Sequence, residues 1–458
     1  MDISPDIFRA YDVRGVVDDV LGPDVVREIG RAFASESRAR GCGTVVIGRD
    51  GRLSGLDLAE ALAEGLQAAG ADVVDIGMVP TPVLYFATHH LETGTGIMIT
   101  GSHNPPEYNG LKMMIGGDAL FGDAILALKS RLDAGRLDEG EGGYRVEDVL
   151  EAYLDRIVSD VEVLGDLRVA HDCGNGVAGV AVPELLRRLG VEATGLYTDV
   201  DGSFPNHHPD PAKLENLAEL RELVTSESMD LGLAFDGDGD RVGVVDDRGN
   251  VVWPDRQMVL FARDVLERNP GATIVHDVKC SKVLPEAILA AGGTPDMYKT
   301  GHSFIKKRMK ENGALLGGEM SGHVFFKERW YGFDDALYAA ARLLEILSKG
   351  GEKASEVFGA IPDSVNTPEL NVDLGRDGAQ HEFVEAFREH ARFDGAELTT
   401  IDGVRADYPD GWGLVRASNT TPSLVIRFEA DDETAMARIQ GEFREAMRAT
   451  DPAVEAPF

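Results

Sequence analysis

Thr44-Val-Val-Ile-Gly48 is a short β-branched run, and Leu56–Gly70 behind it carries apolar residues at helical spacing and closes on glycine. Ala71–Ile76 reads as a second strand, Pro82–Thr93 as a second helix, and Gly96-Ile-Met-Ile-Thr100 as a third strand. Strands alternating with helices specify a mostly parallel sheet covered on both faces. The same order returns twice. Leu167–His171, Val177–Gly190, Val191–Leu196, Leu214–Ser226 and Leu231–Phe235 form a second α/β unit. Ala272–His276, Val283–Ala291, Pro295–Tyr298, Phe304–Asn312 and Ala314–Gly317 form a third. The repeat is irregular, which excludes a solenoid. From about Pro362 the order changes. Strand-like Glu369–Leu374, Glu397–Ile401, Gly413–Ser418 and Ser423–Glu429 surround a helix near Glu382–Ala391, and an acidic helix starts at Asp432, as in a small α+β domain.

The third strand of each unit runs into a polar, glycine-rich segment: Thr100-Gly-Ser-His-Asn-Pro-Pro106, Asp236-Gly-Asp-Gly-Asp-Arg241 and Gly318-Glu-Met-Ser-Gly-His323. Ligands of parallel sheets bind beyond the carboxyl ends of the strands, so three equivalent loops are expected to face one cleft. Ser102 is not in a G-x-S-x-G elbow, because positions 100 and 104 are Thr and Asn. The serine-hydrolase reading therefore fails. Such a serine suits an exposed phosphoryl carrier, which divides one difficult transfer into two easier ones. Asp236, Asp238 and Asp240 need a counter-charge if they converge, and a hard divalent cation supplies it. An EF-hand would require Gly at position 241 and Glu at 247, where the chain has Arg and Asp.

Glu319, Ser321 and His323 offer an acceptor, a hydroxyl and an imidazole suited to sugar hydroxyls. Arg416, Ser418, Asn419, Thr420, Thr421 and Arg427 make a dense donor loop fit for a phosphate dianion. Phe8–Gly15, which holds Tyr11 and Arg14, adds a cation and a hydroxyl near the first unit. Lys112 lies just past the serine loop, Lys279 follows a strand end, and Lys299-Thr-Gly-His302 leads into a basic helix with Lys306, Lys307, Arg308 and Lys310. That helix face reads as solvated.

The 458 residues carry 79 Asp and Glu against 45 Lys and Arg, a formal net charge of −34. This disfavours non-specific nucleic-acid binding and anionic membrane surfaces. With 43% hydrophobic residues the chain is nonetheless composed to bury cores. The first lysine is Lys112 and the last Lys353. Many acids and few lysines suggest a halophilic protein that loses structure at low ionic strength. Cys42, Cys173 and Cys280 are far apart, so neither a disulfide framework nor a zinc knuckle is indicated. No run is long enough to span a bilayer and no signal peptide is evident, so a cytoplasmic location is expected.

In order along the chain, Phe8–Gly15, Thr100–Lys112, Asp236–Arg241, Lys299–His302, Gly318–His323 and Arg416–Pro422 resemble the motifs of the α-D-phosphohexomutase family, within it the phosphomannomutase/phosphoglucomutase group. The resemblance implies three similar α/β domains with mixed or parallel sheets, 1–148, 149–250 and 251–362, and a TATA-binding-protein-like α+β domain, 363–458, around a shared cleft. It implies interconversion of hexose 1-phosphate and hexose 6-phosphate, of mannose, glucose or both, through a phosphoserine and a reorienting hexose 1,6-bisphosphate. Ser102 resembles the phosphoserine. Asp236, Asp238 and Asp240 resemble the ligands of one Mg²⁺, completed by the serine phosphate. Arg14, Lys112, Arg241 and His302 match positions near the transferring phosphate, with general acid and base among them. Tyr11, Lys279, Glu319, Ser321 and His323 match sugar-phosphate contacts, while Arg416, Ser418, Asn419, Thr420 and Arg427 match the distal phosphate clamp. Glucose 1,6-bisphosphate is implied as activator, and the partners are small sugar phosphates, with either a monomer or a homo-oligomer compatible. Gly101 before the serine and Met320 after the glutamate favour mannose and glucose over glucosamine phosphate. A phosphoglucosamine mutase is the first alternative, a metal-dependent sugar phosphatase the second, and a non-catalytic sugar-phosphate sensor a third that Ser102 and the three aspartates oppose.

Overall fold

The computed structural model describes residues 3–376 and 378–458. Its four sheets follow one another along the chain. In the first, Thr44–Arg49 lies parallel to Asp72–Met78 and to Gly96–Ile99. Tyr108–Ile115 then returns antiparallel beside Gly96–Ile99, and Val13–Val16 pairs antiparallel with Tyr108–Ile115. The second sheet has Arg168–Asp172 parallel to Glu192–Leu196 and Leu231–Phe235, with Val242–Asp246 antiparallel beside the last of these. The third has Thr273–Asp277 parallel to Thr294–Tyr298 and Leu316–Gly318, with Val324–Phe326 antiparallel beside the latter. The fourth is antiparallel throughout, its centre formed by Val404–Tyr408, Gly411–Ala417 and Ser423–Ala430.

The three α/β sheets are mixed, as the family resemblance allowed, with a parallel centre where the strand–helix alternation placed one and an antiparallel strand beside it. Each third strand turns back on itself within a few residues, and a parallel return would need a crossover of a dozen or more. One consequence links all four units. The serine loop, the aspartate loop, the glutamate loop and the Ser418 loop each join two adjacent antiparallel strands.

Two helices read as continuous are divided. Val177–Val180 is a 3₁₀ turn that precedes the α-helix Val182–Arg188. At Gly179 a Cβ would lie 2.0 Å from the Thr198 carbonyl oxygen, and Pro183 has no N–H to continue the earlier turn. Leu214–Leu217 is likewise 3₁₀ before the helix Ala218–Ser226. Three long helices were not anticipated: Pro23–Ala39, Pro254–Arg268 and Ala336–Gly350. The third is capped by Asp335, whose side chain accepts from the Tyr338 N–H.

One hydrophobic cluster runs from Val46 to Ile361 and joins the first three units. The fourth unit packs its own cluster around Phe387, Phe428 and Phe443. A small apolar contact, Val278 against Trp412 and Leu414, connects it to the third.

Candidate active site

The four hairpin loops meet at a cleft of about 630 Å³. Its walls include Tyr11, Arg14, Ser102, Lys112, Arg241, Lys279, His302, Glu319, Ser321, His323, Arg416, Ser418, Asn419, Thr420 and Arg427. These are candidates singled out from the sequence; Thr421 is not on the wall, and the three aspartates lie fully buried behind it.

Ser102 occupies the left-handed region at φ +49°. Its hydroxyl donates to Asp236 Oδ2 at 3.2 Å and lies 3.3 Å from His103 Nδ1. Glycines at 237 and 239 let the aspartate loop turn tightly, Gly239 at φ +74°, and oxygens of all three carboxylates lie within 4.8 Å of one another. Lys112 Nζ bridges Asp238 Oδ2 at 2.7 Å and Asp240 Oδ2 at 2.5 Å. Arg241 Nε donates to Asp236 Oδ2 at 3.0 Å. Burial pushes the Asp236 carboxyl up to about 7, opposed by Arg241 and reinforced by Asp240 and Asp238. Burial also opposes ionisation of Asp238, but Lys112 and the Thr81 hydroxyl, 2.6 Å away, hold it well below the usual carboxylate range. Asp238 Oδ1 and Asp240 Oδ1 are buried without a hydrogen-bond partner. Three carboxylates against one ammonium and one guanidinium leave a deficit of positive charge, and two oxygens free to coordinate. A hard divalent cation fits both facts.

Beside this loop, Asp334 is fully buried and holds Lys306 Nζ at 2.8 Å through Oδ1. Its Oδ2 faces His323 Nδ1 at 3.3 Å and His302 Nδ1 at 3.6 Å. The two imidazoles stack at 5.5 Å yet are driven apart in basicity. Burial and then Lys306 push His302 well below its usual value, keeping it neutral. Burial acts the same way on His323, but Asp240 and Asp334 outweigh it and raise its value. Environments that separate two titratable groups in this way equip one as proton donor and the other as acceptor.

Deeper in the third unit, Glu319 Oε1 accepts the Gly301 N–H at 2.5 Å. Burial pushes its carboxyl up to about 7, with His323 opposing and Asp277 adding. Lys279 Nζ pairs with Glu369 at 2.8 Å, and Arg416 Nε with Asp402 at 2.9 Å. Ser418 Oγ accepts from the Thr421 hydroxyl at 2.9 Å and from the Thr420 N–H at 3.3 Å, which folds this loop into a donor cup. Tyr11 ties three units together, donating to the Thr300 carbonyl at 2.8 Å and accepting from Asn419. Four buried guanidinium nitrogens of the cleft wall lack a hydrogen-bond partner, Arg14 Nε, Arg241 Nη2, Arg416 Nη2 and Arg427 Nε, as do Arg31, Arg52 and Arg342 Nε away from it. Buried cationic donors without partners are costly, and phosphate oxygens supply what they need. Arg427 is also part of the wall, with Nη1 on the Lys279 carbonyl and 3.3 Å from Asp255.

Lys306 departs from the solvated helix face expected of it. Its side chain turns inward, with Nζ 4.4 Å from the Tyr85 ring centroid as well as bonded to Asp334. Lys299 instead lies over the Phe304 ring at 5.7 Å and is absent from the cleft wall. Sequence reasoning missed Asp334, Thr81 and Glu369. Asp334 stands in Tyr331-Gly-Phe-Asp-Asp335, which reads as a turn, and only its burial among charged partners separates it from other acids.

Four profiles of phosphoglucomutase/phosphomannomutase match the chain: α/β/α domain I at residues 5–135, domain II at 151–249, domain III at 253–365 and the C-terminal domain at 369–446. Phosphomannomutase/phosphoglucomutase of Pseudomonas aeruginosa is 54% identical over 99% of this chain and 97% of its own. Phosphoglucomutase of Neisseria gonorrhoeae is 52% identical over 96% of each. The crystal structure of a phosphoglucomutase/phosphomannomutase family protein from Burkholderia thailandensis superposes with a TM-score of 0.95 at 50% identity, covering 100% of both chains.

Proposed function

The chain belongs to the phosphoglucomutase/phosphomannomutase family, and from that premise we propose how its residues interconvert the 1-phosphates and 6-phosphates of glucose and mannose. Ser102 carries a phosphoryl group in the resting enzyme. A hexose 1-phosphate enters with its phosphate on Arg416, Ser418, Asn419 and Thr420, supported by Lys279 and Arg427, while Glu319 and Ser321 take ring hydroxyls. The bond from phosphorus to Ser102 Oγ breaks and a bond to sugar O6 forms. The O6 proton passes to the neutral imidazole of His302, and Oγ receives a proton from His323. Arg14 and Arg241 hold the phosphoryl oxygens in flight, since such transfers depend on positioning and charge more than on covalent machinery. The hexose 1,6-bisphosphate turns end over end. The phosphate on O1 then returns to Ser102 by the reverse proton movements, releasing hexose 6-phosphate and restoring the phosphoenzyme.

Asp236, Asp238 and Asp240, with an oxygen of the Ser102 phosphate, would hold a Mg²⁺ ion. When bound it supplies positive charge to the phosphoryl oxygens. Lys112 stays an ammonium, because its two carboxylates outweigh the cost of burial, and so balances this loop without acting as a base. Glucose 1,6-bisphosphate activates by phosphorylating any Ser102 that has lost its phosphate. Among the described residues no helix is long and apolar enough to cross a membrane. A cytoplasmic location goes with this activity on sugar phosphates.

One observation carries the reading. A single cleft holds, at two places, guanidinium groups that each pair with a carboxylate and keep one buried nitrogen without a partner: Arg14 and Arg241 around Ser102, and Arg416 in the fourth unit. Two phosphate receptors suit a bisphosphate, whereas a phosphatase requires one. Replacing Ser102 by Ala is expected to cut turnover of glucose 1-phosphate by a factor of about 10³ or more, because the covalent carrier is gone. Full turnover in that variant would refute the reading. Assays of mannose, glucose and glucosamine 1-phosphates side by side should rank the amino sugar last.

A further inference from the structure

Phosphoryl transfer requires Ser102 Oγ in one fixed place, yet Ser102 itself adopts a backbone conformation that L-residues avoid. Something must hold it there. Behind the loop lies Arg52, its side chain fully buried. Nη2 donates to the carbonyls of Ser102 at 2.8 Å and Asn104 at 2.6 Å. Nη1 donates to those of Pro105 at 2.5 Å and Tyr108 at 2.9 Å. Nε faces Asp50 Oδ2 at 3.3 Å. Of the five N–H donors of a guanidinium, those of Nη1 and Nη2 are all directed at this loop, while Nε lies against Asp50 without a hydrogen bond. Asp50 does the complementary work, accepting the Gly101 N–H at 3.2 Å and the Arg52 N–H at 2.9 Å.

The loop is thus gripped by its carbonyls from Arg52 and by its N–H from Asp50. The fit is close. A Cβ at Gly101 would lie 2.4 Å from the Arg52 guanidinium. From the second unit the Phe204 ring caps Arg52 at 5.3 Å. The ordinary reading of a buried arginine bonded to carbonyls is structural support. Here, however, the bonded carbonyls belong to one loop and include that of the reacting serine.

We propose that Asp50 and Arg52 are positioning residues for the phosphoryl carrier: they hold Ser102 in its left-handed conformation so that Oγ meets both Asp236 and the sugar hydroxyl. This rests on the mutase reading above. The pair touches no lining residue of the distal clamp, so it acts on the transfer step and leaves sugar-phosphate binding alone.

The test uses full-length Arg52→Lys and Asp50→Asn, each treated with glucose 1,6-bisphosphate. Measured are kcat, KM for glucose 1-phosphate, the rate of phosphoserine hydrolysis without substrate, and the thermal midpoint. A lysine cannot reproduce the planar fork of donors. Arg52→Lys is therefore expected to lower kcat about 100-fold, the cost of misplacing a reacting atom by about 1 Å, with KM within about threefold of wild type. Hydrolysis of its phosphoserine should be altered from wild type by more than about twofold, because the loop no longer holds one geometry. A lowered midpoint with kcat kept within about twofold at a temperature below unfolding would overturn the proposal. So would a raised KM with kcat intact. If Arg52→Lys does not fold, Asp50→Asn, which keeps the outline of the side chain, is read by the same criteria with an expected kcat loss of about 10-fold. Absence of mutase turnover in the wild type would instead remove the parent reading, and this one with it.

Discussion

Glu319 shows how one buried carboxyl ties chemistry to pH. Its ordinary ionisation would be complete far below neutrality, but burial lifts it to about 7. In the proposed role of accepting sugar hydroxyls it acts in its ionised form. Below about 7 it holds a proton and loses acceptor strength, so KM for hexose 1-phosphate is expected to rise as the pH falls through that value. Glu319→Gln should weaken binding at high pH and remove this pH dependence. A KM profile in Glu319→Gln that tracks wild type would place the titration elsewhere. Asp334 acts at one remove. With Asp334→Asn, His323 loses a carboxylate that raises its basicity and Lys306 loses its partner. The expected result is a kcat loss of about 10–100-fold and a kcat–pH profile displaced to lower pH, with KM little changed. Residues of this kind were not legible in the sequence. Ser102, the three aspartates and Arg416 announce themselves because unusual residue types crowd into short loops. Asp334, Lys306, Asp50 and Arg52 matter through partners far along the chain, and local spacing holds no trace of those pairings.

At the scale of elements, the repeated strand–helix order correctly implied three related units whose loops after the third strand face one cleft. It did not show that each third strand reverses, because a tight antiparallel return and a parallel crossover begin with the same apolar run. Nor did it divide Val177–Gly190, where the break comes from the close approach of the Thr198 backbone to Gly179. The reversal has a packing requirement of its own. Leu316–Gly318 delivers Glu319, and a Cβ at Gly318 would lie 2.3 Å from Met258 Sδ. Gly318→Ala is therefore expected to cost about 1–3 kcal/mol in denaturant unfolding, through overpacking. An unchanged midpoint would mean that Met258 moves aside freely.

For the molecule as a whole, the separate cores matter. The first three units share one hydrophobic cluster, while the fourth carries its own and meets the third through a small apolar contact at Val278, Trp412 and Leu414 and a set of polar ties, Lys279 to Glu369, Ser281 to Glu429, and Arg405 and Arg427 to carbonyls of the third unit. The charge of −34 acts on the same scale. The acids repel one another across the exterior, and at about 1 M salt the screening length falls to about 3 Å. Thermal midpoint is expected to rise steadily with KCl, and a flat or falling midpoint would contradict the salt-adapted reading of the acidic surface. Inside that shell the cleft concentrates arginines and lysines, so an acidic protein still captures an anionic substrate through short-range contacts.

The central claim is that the enzyme gives away one phosphoryl group and keeps the other. It is tested most directly by mixing unlabelled phosphoenzyme with glucose 1-phosphate labelled at phosphorus, for a single turnover. The account predicts label on Ser102 of the protein and unlabelled phosphate on the glucose 6-phosphate released. Label in inorganic phosphate, or in glucose 6-phosphate with none on the protein, would contradict it.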